Sequence, residues 1–133
     1  KLLANRYLDT LLAGQRIAKP NPILFSIFRP SVQPYMISWL RYDPGKLLQA
    51  LRCPALILQG NKDIQVQVAD ALLLQKAKPS AHLAVLENMN HVFKLITSTN
   101  PADNIKSYSD PALPIATSLV QEIVKFIQPN RTL

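Results

Sequence analysis

The sequence predicts an α/β fold built on parallel strands, and three neighbouring segments carry that expectation. Ala55 to Leu58 is an uninterrupted apolar run between Pro54 and Gly60. Such a run, without alternation, suits a strand buried on both faces. Val68, Ala69, Leu72, Leu73 and Ala77 then repeat at helical spacing, and Pro79 closes that helix. His82 to Leu86 reads as a second strand. Strand, helix and strand in this order join through a right-handed crossover, which makes the two strands parallel.

Upstream, residues 2–13 place Leu3, Tyr7, Leu8, Leu11 and Leu12 on one helical face, and Gly14 supplies the stop. Pro20, Pro22, Pro30 and Pro34 break up the connector that follows. The apolar, aromatic-rich stretch from Ile23 to Leu40 has two open readings: the lining of an acyl pocket, or a surface that another domain covers. Asp43 then Pro44 is a capping side chain followed by proline at the first helical position, with Leu47, Leu48 and Leu51 along one face. Beyond the second strand, the segment with Asn100, Asp103, Asn104, Ser107, Ser109 and Asp110 reads as a polar loop. From Pro114 to Ile127, apolar residues at 115, 116, 119, 120, 123, 124 and 127 predict a long amphipathic helix. Two strands are few, and such a sheet needs more strands or cover on both faces.

Composition narrows the function classes. The chain has 133 residues, 48% of them apolar, which suits one packed domain. It opens on Lys1, as expected of an excised or truncated segment or a processed N-terminus. No charged stretch followed by an apolar core and a small-residue cleavage site opens it, so no signal peptide is expected. Its longest apolar runs, such as Ala71 to Leu74, fall far short of the roughly 20 residues of a membrane span. Cys53 is the only cysteine, which excludes an internal disulfide and makes a reducing, cytoplasmic setting the default. The net charge of +7 sits mostly in residues 1–52, where Lys1, Arg6, Arg16, Lys19, Arg29, Arg41, Lys46 and Arg52 face only Asp9 and Asp43. These cations are widely spaced and do not cluster with aromatics as a nucleic-acid surface would, so a solvated or partner-facing surface is expected.

Two residues stand where chemistry gathers. In parallel sheets, active groups collect beyond the carboxyl ends of the strands. Asp63 lies just past the first strand and His91, in Asn88-Met89-Asn90-His91, just past the second. A carboxylate on one imidazole nitrogen fixes the tautomer that lets the other accept a proton. Either residue alone also fits an ordinary turn; together, in this order, they read as an acid–base pair. Lys94 and Glu87, which flank the histidine loop, are expected to be solvated. His82 is expected on a strand or its edge, Cys53 is expected to be a small buried residue, and no Cys or second His has the spacing of a metal site.

The segment PALILQGNKD, the Val66–Ala77 stretch and HLAVLENMNHVFK resemble the C-terminal portion of an α/β-hydrolase, in the serine-aminopeptidase and lysophospholipase-like esterase branch. The resemblance implies that Asp63 is the triad acid and His91 the general base. It implies that 114–127 is the terminal helix on the sheet, and that SVQPYMISWLRYDP ends a cap or lid. Residues 1–42 would then be a helical, Pro-rich cap segment and 43–133 the C-terminal part of the hydrolase core. The family places its nucleophile in a G-x-S-x-G turn. Gly14, Gly45 and Gly60 are the only glycines and lie far apart, so that turn cannot be written in this sequence.

The expected function is that of a serine hydrolase acting on an ester, or less readily an amide or peptide, bond. This chain would supply acid and histidine, and a missing N-terminal half or a partner chain the nucleophile. The substrate would be a small molecule, no cofactor is called for, and self-association is an expected consequence of uncovered surface. The alternative from another class is a non-catalytic binding or scaffold piece of a hydrolase-like protein.

Overall fold

The computed structural model describes residues 2–128; Lys1 and the residues after Gln128 lie outside that range. The protein is mixed α/β, with seven α-helices and one parallel sheet of two strands among the described residues. It divides into two units, Lys1–Leu47 and Leu48–Leu133. The division falls a few residues past the break expected after Tyr42, inside a helix.

The first unit is helical. Helix α1 (Leu2–Leu12) ends where the Gly14 amide bonds Leu11 O at 2.9 Å and the Gln15 amide bonds Thr10 O at 3.1 Å. This paired closure needs a left-handed residue, and Gly14 has φ 76°. A single 3-10 turn (Pro22–Leu24), α2 (Phe25–Phe28) and α3 (Gln33–Trp39) follow. Leu11, Phe28, Met36 and Ile37 form the core of this unit. The fully buried Gln33 ties it together, since its amide bonds Ile17 N, Ile17 O and Phe28 O. Part of the apolar stretch therefore serves internal packing, whereas Ile23, Phe25, Ile27, Tyr35 and Trp39 stay exposed. Helix α4 (Pro44–Ala50) starts as the sequence predicts, with Asp43 Oδ1 accepting from the Lys46 amide at 3.1 Å. Leu51 lies just outside it.

In the second unit, β1 (Leu56–Gly60) and β2 (His82–Leu86) pair in parallel, with Leu58 opposite Ala84 and Gly60 opposite Leu86. Helices α5 (Val68–Ala77) and α7 (Thr117–Ile127) both pack on the two strands. Leu86, Met89, Ala116 and Leu119 form the core beside Leu58 and Ala84. Gln59 projects from the opposite face of β1, where its amide bonds Val66 O just before α5.

Four expectations need correction. β1 is only half-buried at Leu56, Ile57 and Leu58 and fully buried only at Gln59 and Gly60, because a two-strand sheet lacks strands on either side to complete its cover. The inner face of α5 centres on Ala71, with Val68 and Gln75 half-buried, while Leu72 and Leu73 are exposed. α7 begins at Thr117, and much of its apolar stripe (Val120, Val124 and Ile127) is exposed. Finally, the polar segment read as a loop contains α6 (Pro101–Ser107). Asn100 caps that helix by accepting from the Ala102 amide, and Pro101 stands in its first turn.

Candidate active site

Gly60 ends β1, and the chain turns at once into the loop that carries Asp63. Beyond β2, Asn88 and Phe93 take left-handed backbone conformations, φ 57° and 64°, on either side of His91. This conformation is uncommon for a bulky residue such as Phe. It is held by the Phe93 amide on Asn90 O at 3.0 Å and by the Ala116 amide on Phe93 O at 2.7 Å.

The two loops meet at one edge of the sheet. Asp63 Oδ2 lies 2.9 Å from His91 Nδ1. The carboxylate side chain is 7% exposed and the imidazole 38%. Asp63 Oδ1 accepts from the Gln65 and Val66 amides at 2.8 and 3.0 Å, and Gln59 Nε2 donates to Oδ2 at 3.2 Å. Burial works against the charged carboxylate, but the bonds from the Val66 amide, His91, the Gln65 amide and Gln59 outweigh it and hold the Asp63 pKa below its ordinary value. An ionised carboxylate only accepts, so the shared proton is carried on Nδ1. That leaves Nε2 as the basic nitrogen, and it has no hydrogen-bond partner among the described residues.

Backbone and amide bonds lock the loops together. The Asn61 amide bonds Leu86 O at 3.1 Å, the Lys62 amide bonds Met89 O at 3.0 Å, and Asn61 Oδ1 accepts from the Asn88 amide at 2.7 Å. A Cβ on Gly60 would come within 2.0 Å of Met89 O, so only glycine permits this approach. Behind His91, Asn90 is 1% exposed. Its Oδ1 accepts from the Val92 and Lys94 amides, and its Nδ2 donates to Asn104 Oδ1 at 3.1 Å and Ser107 Oγ at 2.7 Å. A buried polar group left unpaired costs about 1–3 kcal/mol, and none of the buried side-chain N or O atoms among the described residues lacks a partner.

The sequence reading missed Asn61, Asn90, Asn104 and Ser107. Their signals were Asn100-Pro101, which repeats the capping logic of Asp43-Pro44, and the asparagines on both sides of the two strand ends. Lys94, expected in solvent, is half-buried and donates to Ser107 O at 2.8 Å and to Asp110 O. Glu87 is exposed, as expected. Cys53, expected to be buried, is exposed because it precedes β1 outside the core. His82 begins β2 at the far end of the sheet, 3.4 Å from Glu122, and takes no part in the pair. An open cleft of about 220 Å³ lies beside Asp63, between Asn61–Ile64 and the first turn of α6. Among the described residues no group of three or more His, Cys, Asp or Glu is placed to hold a metal, and no helix is long and apolar enough to cross a membrane.

No family model matches the chain, and no curated protein matches it either.

Proposed function

We propose that Asp63 and His91 are the acid and general base of a serine hydrolase of α/β-hydrolase type, acting on an ester bond and less readily on an amide or peptide bond. The observation that carries this reading is the 2.9 Å bond between Asp63 and His91 Nδ1, beyond the carboxyl ends of adjacent parallel strands. In such a reaction His91 Nε2 takes the proton of a serine hydroxyl as it attacks the carbonyl, then delivers it to the leaving alcohol. Asp63 keeps Nδ1 protonated and stabilises the imidazolium that forms between the two steps. The nucleophile and the oxyanion donors come from a preceding segment or a partner chain, because no G-x-S-x-G occurs in these 133 residues. By the same resemblance, residues 1–42 would be a cap segment.

The test uses p-nitrophenyl esters. The chain alone gives no turnover above background, since a base without a nucleophile and an oxyanion site has nothing to activate. Expression together with the G-x-S-x-G segment encoded upstream or by an adjacent gene restores turnover. His91→Ala then abolishes it, and Asp63→Asn lowers kcat by about 10⁴-fold. Turnover by the restored enzyme that survives His91→Ala would overturn the proposal.

A further inference from the structure

We propose that α6 is a brace that sets the proton geometry of the Asp63–His91 pair, and that Asn104 is its positioning residue. This deepens the acid–base reading and rests on it. Asn104 is 5% exposed and uses both ends of its amide on the loops of the pair. Its Nδ2 donates at 2.7 Å to the carbonyl of Lys62, the residue before Asp63. Its Oδ1 accepts at 3.1 Å from Asn90, the residue before His91. One planar side chain thus spans the immediate neighbours of acid and base. Ser107, one turn later and 1% exposed, takes the other Asn90 amide proton and passes its own to Asn104 O at 2.6 Å.

Two outer ties repeat the arrangement, with Gln65 Nε2 on Tyr108 OH at 3.0 Å and Lys94 Nζ on Ser107 O at 2.8 Å. Each tie runs from one of the two loops to α6 or the residue that follows it. The brace matters because the imidazole is 38% exposed. Water competes for such a ring, and a hydrogen bond weakens steeply once its angle opens. The tautomer is set by whatever bonds the ring, so fixing where the ring meets Asp63 fixes which nitrogen stays basic.

The experiment reads the His91 ring nitrogens by ¹⁵N NMR in the full 133-residue chain, above the imidazole titration. The wild type shows the Nδ1–H form, and Asp63→Ala shifts the population toward the Nε2–H form that a free histidine side chain prefers. Asn104→Ala moves it at least half as far while the chain still unfolds cooperatively. Asn104→Asp keeps the volume and the acceptor for Asn90 but loses the donor to Lys62 O, and moves it in the same direction. Should Asn104→Ala not fold, Asn104→Asp and Asn104→Ser carry the same expectation. A purely structural role would lower the melting temperature and leave the tautomer of folded molecules unchanged. An unmoved tautomer in folded Asn104 variants, beside a wild type in the Nδ1–H form, overturns the brace alone. A wild type in the Nε2–H form overturns the acid–base reading with it.

Discussion

Asp63 is the residue whose chemistry can be followed without any substrate. Its folded pKa lies below that of an ordinary aspartate, about 3.9. A lowered folded pKa means that the unfolded chain takes up this proton first as the pH falls. The stabilisation from Asp63 is therefore fully present above the unfolded value and is lost as the pH drops through the folded one. Denaturant midpoints of wild type and Asp63→Asn, compared from pH 7 down to pH 2, should differ by a constant amount at the upper end and converge at the lower. A gap that widens on acidification would contradict the assigned direction. Asp63 and His91 were legible in the sequence because strand ends are marked by Gly60 and by the end of an apolar run. Asn61, Asn90 and Asn104 were not, since an asparagine whose amide bonds backbone groups or other polar side chains looks in sequence like any other turn residue.

Among the elements, the strands and α4 were the most readable, through their apolar runs and the Asp43-Pro44 start. α6 was hidden for a physical reason. Its buried residues are Asn104 and Ser107, so hydrophobic periodicity carries no trace of its inner face. α5 misled in the opposite way: several leucines repeat at helical spacing, yet small Ala71 is the residue that faces inward. The end of β1 yields a sharp expectation. Gly60→Ala would set a methyl 2.0 Å from the Met89 carbonyl, a backbone atom that cannot rotate aside. The histidine loop must move away, at a cost of about 1–3 kcal/mol or more. Thermal unfolding should show that loss, and the Asp63–His91 contact should weaken with it. A variant as stable as the wild type would mean that the two loops are not held together here.

At the scale of the molecule, the sheet leaves one edge of each strand without a strand partner among the described residues. Large apolar side chains are also exposed in this unit, with Leu73 at 65% and Ile127 at 69%. Surface of that kind draws a partner. The isolated chain is expected to bind a hydrophobic dye or to grow in apparent mass with concentration, as light scattering would show. A dye-negative monomer across that range would count against a surface built to be covered. The charge asymmetry was legible in composition, but which apolar residues stay outside was not, because periodicity gives a stripe and not its partner.

The hydrogen bonds between the strands do not stop where the strands do. The Asn61 and Lys62 amides continue the ladder past Gly60, onto Leu86 O and Met89 O. Loop amides ordinarily trade their protons with solvent soon after transfer to deuterated water, whereas these two belong to the cooperative unit of the sheet. Deuterium uptake at residues 61 and 62 should keep pace with residues 57 and 59, whose amides face the second strand, and run behind the rest of the Asp63 loop. A mass-spectrometric clock on this short peptide then reports whether the loops of Asp63 and His91 are joined.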